Sequence, residues 1–154
     1  MTIFYLALNP IYMTESLITK KQIQIDAPVA KVWEVLIAPK YIRQWDDLPQ
    51  DFGDYYLELG RTIEWSGFSR LTVTTCDPLE KLVLKLYTFK WELPAADYDI
   101  AYTYLLTESE GSARLILEIG DFGVLEDGES YYQASEEFAE QALEKIKSLA
   151  ENRV

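Results

Sequence analysis

Aromatic side chains that alternate along one candidate strand are the residues of this chain best suited to holding a ligand. Tyr98, Tyr102 and Tyr104 share one face of that strand, and the opposite face carries Asp99 and Thr103. Because successive side chains of a strand point to opposite faces, this pattern predicts that the tyrosine face points inward. A tyrosine cluster provides apolar walls with hydroxyl groups, which suits an amphipathic molecule.

Aromatic residues elsewhere in the chain extend this candidate site. Tyr87 and Trp91 share a face with Lys85 on the preceding strand, where the pattern leaves open which face points inward. The predicted ligand-binding residues are Trp45, Trp65, Phe68, Tyr87, Trp91, Tyr102, Tyr104 and Phe138. The alternative is that these rings fill a hydrophobic core. An empty void of about 300 Å³ destabilises a domain by about 7 kcal/mol, so rings, water or a ligand must occupy the space.

Carboxylates and tyrosines are the groups left for acid–base chemistry, because the chain has no histidine. Ser-His-Asp and Cys-His catalysis and histidine-ligated zinc are therefore excluded. One hypothesis pairs Asp46 with Tyr102 or Tyr104 in a cavity enzyme, and it requires their pKa values to move toward neutrality. The sequence predicts no catalytic residue, metal ligand or cofactor.

Two groups of loop carboxylates and the single cysteine carry no site prediction. The groups comprise Asp46, Asp47, Asp51 and Asp54, and then Asp121, Glu126, Asp127 and Glu129. The second group lacks the spacing of a calcium-binding loop, and both are interpreted as solvated charge. Cys76 lies in an apolar, threonine-rich run and is predicted to be an unreactive thiol; a lone cysteine fits a cytoplasmic location.

Composition limits the classes of partner. The chain has 154 residues, 49% of them hydrophobic, and its net charge of −12 argues against binding to nucleic acid or to an anionic membrane. Residues 1–16 are predicted to be an N-terminal extension without signal-peptide features, and residues 17–154 a single domain. The expected state is a monomer or weak dimer.

Hydrophobic periodicity predicts the elements that position the aromatic residues. Alternation around Ile23 and Ile25 indicates a first strand, and the apolar spacing that follows Pro28 indicates a helix. Pro39 ends that helix and begins a second short one. Six further strand-like runs follow, separated by turn residues, at 54–59, 61–65, 69–76, 82–91, 97–107 and 112–120.

A long amphipathic helix closes the chain, and its start is predicted from a capping box of Ser130 and Gln133. Its apolar face comprises Tyr131, Ala134, Phe138, Ala142, Ile146 and Leu149. Short turns between strands favour antiparallel pairing. The predicted fold class is α+β, with an antiparallel sheet of about seven strands curved around the C-terminal helix and two short helices after the first strand.

Several motifs in this order resemble the START-like, helix-grip (SRPBCC) superfamily. They are the strand Ile23-Gln-Ile25 with Asp26-Ala-Pro28, the helix segment Val32-Trp33-Glu-Val-Leu36, the turn Asp77-Pro-Leu-Glu-Lys-Leu82, and the final Leu143-Glu-Lys-Ile146-Lys147. The pattern is most similar to bacterial proteins homologous to the C-terminal domain of the heat-shock chaperone ATPase activator. The resemblance implies a cavity under the long helix that binds apolar molecules such as lipids, sterols or polyketides.

Three functional hypotheses follow. The first is a binding domain for a lipid-like or aromatic molecule, supported by the aromatic strands. The second, implied by the resemblance, is an interaction protein that activates a chaperone ATPase. The third is a cavity enzyme of the polyketide cyclase or dehydratase type.

Overall fold

The computed structural model describes residues 16–153, and within them it contains six β-strands and three α-helices. In chain order these are β1 (Thr19–Ile25), α1 (Val29–Ile37), α2 (Pro39–Trp45), β2 (Thr62–Trp65), β3 (Ser69–Asp77), β4 (Lys81–Thr88), β5 (Ala101–Ser109), β6 (Ser112–Gly120) and α3 (Gly128–Ala150). The predicted N-terminal extension, residues 1–16, lies outside the described residues except for Ser16.

The strands form one antiparallel sheet in the order β1-β6-β5-β4-β3-β2. Strands β2 to β6 follow one another as a meander, and β1 completes the sheet beside β6. The long helix α3 packs against β1, α1 and α2. The predicted α+β class, with an antiparallel sheet and a long C-terminal helix, is confirmed, although the described residues contain six strands rather than about seven.

The missing strand is the run predicted at residues 54–59. Here the backbone N–H of Leu57 donates to the carbonyl of Ile37 at the end of α1, at 3.0 Å. The Leu57 side chain is buried in the core. Because this segment is bound to the end of a helix, it pairs with no strand over its length. Its alternating side chains therefore do not divide between the two faces of the sheet.

The inward face of β5 agrees with the prediction. Ile100 and Leu106 are buried, Tyr104 is only 2% exposed, and Tyr102 lies on the same face. On the neighbouring β4, the inward face carries Leu82, Leu84 and Leu86 instead of the aromatic side chains. The question left open by the sequence is thus settled: Lys85 and Tyr87 lie on the other face of β4.

Helix α3 begins at Gly128, and the predicted capping box is wrong. Ser130 lies inside the first turn, and the Gln133 side chain donates to Glu129 Oε1 at 3.1 Å instead of bonding back to the backbone. The start is set by packing, since a Cβ atom at Gly128 would collide with the carbonyl oxygen of Phe122. A glycine is therefore needed where the chain turns into the helix.

The C-terminal end of α3 is held against the start of the domain by ionic hydrogen bonds. Glu151 Oε2 accepts from the Asp26 backbone N–H at 2.6 Å and from Lys147 Nζ at 2.8 Å. Lys147 Nζ also donates to the Gln24 carbonyl at 2.7 Å. These bonds lower the pKa of Glu151 to about 2, with the Lys147 ammonium as the largest cause.

None of the helices described here, within residues 16–153, has both the length and the apolar character needed to cross a bilayer.

Candidate functional site

A cavity of about 510 Å³ lies between the inward face of the sheet and the N-terminal half of α3. The strands supply its floor and one wall, α2 and the loop after it supply another, and α3 covers the top. The lining residues are Leu36, Ile42, Trp45, Asp46, Asp47, Leu48, Leu57, Ile63, Trp65, Phe68, Ser69, Leu71, Leu82, Leu84, Leu86, Tyr102, Tyr104, Phe122, Tyr131, Ala134, Ser135 and Phe138. The surface is mostly aliphatic and aromatic, which is the usual lining of a small-molecule site.

Six of the eight aromatic residues predicted to bind a ligand meet at this cavity. They are Trp45, Trp65, Phe68, Tyr102, Tyr104 and Phe138. Phe68 is 75% exposed, and it follows β2 in the turn that leads into β3. It therefore lies at the mouth, where the cavity meets solvent. That these residues bind a ligand stays a prediction.

Tyr87 and Trp91 do not line the cavity. They belong to an aromatic cluster at the β4–β5 connection, where Trp91 packs on Tyr98 with ring centroids 4.8 Å apart. Trp91 Nε1 donates to the Tyr131 hydroxyl on α3 at 3.2 Å, and Tyr131 does line the cavity. Trp91 thus supports the covering helix from outside, while the Tyr87 hydroxyl donates to the Leu93 carbonyl.

Two ring contacts set the shape of the aromatic walls. Trp45 meets Tyr104 edge to face, with centroids 5.9 Å apart, and its Nε1 donates to the Val35 carbonyl at 2.8 Å. On the opposite side, Tyr102 meets Phe138 of α3 edge to face at 5.7 Å. Because the indole N–H is already bonded to the protein, Trp45 presents only apolar ring surface to a guest.

The two carboxylates that line the cavity lie at its α2 end. Asp46 follows α2 at the rim, where the residue is exposed to solvent but partial burial of its carboxyl raises the pKa to about 6. Burial also raises the pKa of Tyr102 to about 12 and that of Tyr104 well above its ordinary value, and the Asp46 charge adds to both shifts. Burial and neighbouring charges cause both of these shifts, and no hydrogen bond is among their causes.

These shifts determine what the polar end of the cavity can do. The pKa of Asp46 is shifted toward neutrality, so its carboxyl can exchange a proton near pH 6. Tyr102 and Tyr104 move away from neutrality and keep their protons, which leaves their hydroxyl groups as hydrogen-bonding groups. Of the acid–base pair considered from the sequence, only the Asp46 carboxyl has a pKa shifted toward neutrality, as that hypothesis requires.

The other loop carboxylates have separate environments. Asp51 lines a shallower groove with Arg61, and Asp54 is exposed and paired with Arg43 at 3.3 Å. Asp121 is structural, because its Oδ1 accepts from the backbone N–H groups of Leu17 and Gly123, each at 2.8 Å. No cluster of histidine, cysteine, aspartate or glutamate in the described part of the chain has the arrangement of a metal site.

Most of the aliphatic lining was not predicted from the sequence. Leu82, Leu84 and Leu86 alternate along β4, so a correct assignment of its inward face would have identified them. Leu57 gives no such signal, because it reaches the cavity from an irregular segment.

The chain is similar over residues 26–151 to the family described as Activator of Hsp90 ATPase homolog 1-like protein. Among curated proteins, none matches it in sequence.

Solved structures share the fold at low sequence identity. The protein MLL2253 from Mesorhizobium loti is 21% identical with a TM-score of 0.68, and the match covers 89% of this chain and 98% of that one. The Aha1 dimer from Colwellia psychrerythraea is 14% identical with a TM-score of 0.64, covering 88% and 97%. DynU16, from the dynemicin biosynthetic locus, is 14% identical with a TM-score of 0.65, covering 89% and 48%. This chain therefore spans about half the length of DynU16.

Proposed function

Because the chain belongs to the family of Activator of Hsp90 ATPase homolog 1-like proteins, with a START-like helix-grip fold, we propose that it binds a small apolar or amphipathic molecule beneath α3. The observation that carries this proposal is the cavity of about 510 Å³, which lies in the usual range for small-molecule sites. The expected ligand is lipid-like or aromatic, in keeping with the leucine and ring lining.

The energetics of an empty cavity support this function. At about 24 cal/mol per Å³, a closed dry void of 510 Å³ would cost about 12 kcal/mol, so this cavity, which opens to solvent, must hold water or a ligand. Water that enters through the mouth finds few polar partners, chiefly Asp46, Asp47 and the hydroxyl groups of Tyr102 and Tyr104. An apolar guest fills the same space and contacts its walls.

Two measurements test the proposal. Native mass spectrometry of the protein purified from its own host is expected to show a retained small-molecule adduct. Thermal melting with a broad panel of apolar and amphipathic compounds is expected to show a rise in Tm for at least one class. A clean apo mass together with no shift across the panel would remove the ligand-binding function.

The family membership favours a second function, activation of a chaperone ATPase. A strongly acidic chain of net charge −12 fits such a role, because it favours association with a basic surface on a partner. The test is the ATPase rate of the large heat-shock chaperone with and without this protein. An unchanged rate, with no complex detected by sedimentation, would eliminate it.

A third function is that of a cavity enzyme of the polyketide cyclase or dehydratase type. Its support is the position of Asp46, whose charge acts on the hydroxyl groups of Tyr102 and Tyr104. If any turnover is found, Tyr102→Phe and Tyr104→Phe are expected to lower kcat, and full activity in both variants would contradict this role.

We also infer a cytoplasmic protein that is a monomer or weak dimer and binds neither nucleic acid nor membrane. The single cysteine, Cys76, is compatible with a reducing compartment, and the charge of −12 disfavours contact with phosphate-rich partners. Sedimentation across a range of concentrations measures the oligomeric state.

A further inference from the structure

The cavity has an uneven distribution of charge. Asp46 and Asp47 line it, and no lysine or arginine of residues 16–153 does. The preceding residues, 1–15, contain no lysine or arginine in their sequence. Lys145 of α3 is the cation whose charge acts on Asp46, and it lies in a separate groove outside the cavity. A ligand carrying a negative group would therefore meet two carboxylates and no counter-charge within the cavity.

The tyrosine hydroxyls provide an independent indication of a polar ligand group. Tyr104 is 2% exposed and lines the cavity, and no hydrogen bond is among the causes that raise its pKa. Tyr102 lies two residues away on the same face of β5, and the Asp46 charge acts on both hydroxyls. Buried polar groups are normally hydrogen-bonded, so a polar group of a ligand placed beside these oxygens would be held by them.

The donor and acceptor chemistry of this end selects among head groups. A protonated amine has three N–H donors, and Asp46 and the two tyrosine oxygens are acceptors for them. Aromatic rings, among them Trp45 and Phe138, line the same cavity, and the face of an aromatic ring attracts a cation. A carboxylate head group is acceptor-only, has no donor in the two aspartates and is repelled by Asp46 and Asp47.

We propose that the cavity selects an amphiphile with a cationic ammonium head, placed between Asp46 and the Tyr102 and Tyr104 hydroxyls, with its apolar body among the leucines of β4. This inference rests on the proposed ligand-binding function. It names the class of molecule that the site prefers, protonated alkyl or aryl amines, over neutral alcohols and over fatty-acid-like anions.

Three probes of equal chain length separate the head group from the apolar body. Isothermal titration calorimetry at pH 7.5 with decylamine, decanol and decanoate, each below its micelle concentration, measures the three values of Kd. Decylamine is expected to bind about tenfold more tightly than decanol, and decanol more tightly than decanoate, since close charge pairs couple by about 1.5 kcal/mol or more.

Two variants assign the preference to the rim of the cavity. Asp46→Asn is expected to reduce the ratio of decylamine to decanol affinity about tenfold. Asp51→Asn is the matched control, because it removes one charge from the loop after α2 without touching the cavity lining, and it should leave the ratio within twofold.

Lowering the pH provides a second test in the unmodified protein. Burial raises the pKa of Asp46 to about 6, so at pH 5 its carboxyl is mostly neutral while decylamine keeps its charge. The preference for amine over alcohol is expected to shrink severalfold. The other groups that act on Asp46 are Asp47 beside it and Lys145 of α3, and Tyr102 and Tyr104 of β5 stay protonated across this range.

The outcomes distinguish this inference from the function on which it rests. Decanol binding with equal or tighter binding of decanoate than of decylamine would overturn the cationic selectivity and leave the apolar-ligand function standing. If Asp46→Asn and Asp51→Asn reduce the ratio of decylamine to decanol affinity equally, the net charge of the protein causes the preference and Asp46 does not. That result would also overturn the inference. No binding of any of the three probes would overturn the cationic selectivity, whereas the apolar-ligand function is decided by the mass spectrum and the compound panel.

Discussion

Replacement of Ala134 by tryptophan tests whether the space under α3 is where a ligand binds. Ala134 lines the cavity from α3, between Tyr131 and Phe138 in sequence, at a position that is also exposed to solvent. A buried tryptophan side chain covers roughly 150–250 Å² of surface, so an indole ring in the cavity would cover wall area that a ligand needs. We expect Ala134→Trp to fill the site from the helix that covers it.

The magnitude follows from binding linkage. A ligand present at 100 times its Kd stabilises the folded protein by about 2.7 kcal/mol. In a domain of this size, each kcal/mol moves the Tm by roughly 2–4 °C, so the wild-type protein should melt about 5–11 °C higher with ligand. Ala134→Trp should lose most of that shift, since the ligand and the indole compete for the same volume.

The assay is thermal melting followed by circular dichroism, with and without the best compound from the ligand panel. Glu137→Trp is the matched control, because it adds the same ring to the exposed side of the same helix, where residue 137 does not line the cavity. If Ala134→Trp keeps the full ligand-induced shift while folding normally, binding occurs elsewhere and the cavity argument is refuted.

Three further predictions concern groups around the site and the fold. Glu151→Gln should lower the free energy of unfolding by about 2 kcal/mol at pH 7, because the lowered pKa of Glu151 contributes stability above about pH 4.5. That contribution is lost as the pH falls to about 2. Thermal melting at pH 7 and at pH 2 should therefore show that the difference in Tm between the wild type and the variant disappears at the lower pH. Tyr104→Phe should leave stability within about 0.5 kcal/mol, whereas Tyr98→Phe, whose hydroxyl accepts from the Leu93 N–H, should lose about 1 kcal/mol in urea unfolding. Gly128→Ala should destabilise by about 1–3 kcal/mol through its clash with the Phe122 carbonyl, and equal stability would contradict a packing role.

The parts of the fold that local periodicity determines were predictable from the sequence. The strand at Thr19–Ile25 and the helix at Val29–Ile37 have a clear period and lie where predicted. The segment 54–59 is an exception, because alternation of apolar and polar residues indicates a strand only if a neighbouring strand is available to pair with it. That segment instead bonds to the end of α1 through Leu57, and such a long-range partner leaves no local signal.

The same distinction explains the outcome for the candidate site. The inward position of Tyr102 and Tyr104 follows from alternation on a single strand, and the structure agrees. Trp91 was grouped with Tyr87 by extending that alternation past the end of β4 at Thr88. Beyond this point the chain leaves the sheet, so the period of two no longer determines which way a side chain points.

Helix α3 packs into the core with its C-terminal half and covers the cavity with its N-terminal half, and this division explains how the fold tolerates a cavity. Its C-terminal half is buried at Ala142, Leu143, Ile146 and Leu149, and Glu151 binds its end to the start of the domain. Its N-terminal half instead spans the cavity, with side chains that remain partly accessible. The N-terminal half is anchored at fewer points, among them buried Ser135 and Ala139 and the stacking of Tyr131 on Phe122, and the cavity lies beside these contacts. The site is therefore open at the end where the covering helix contributes least to the core.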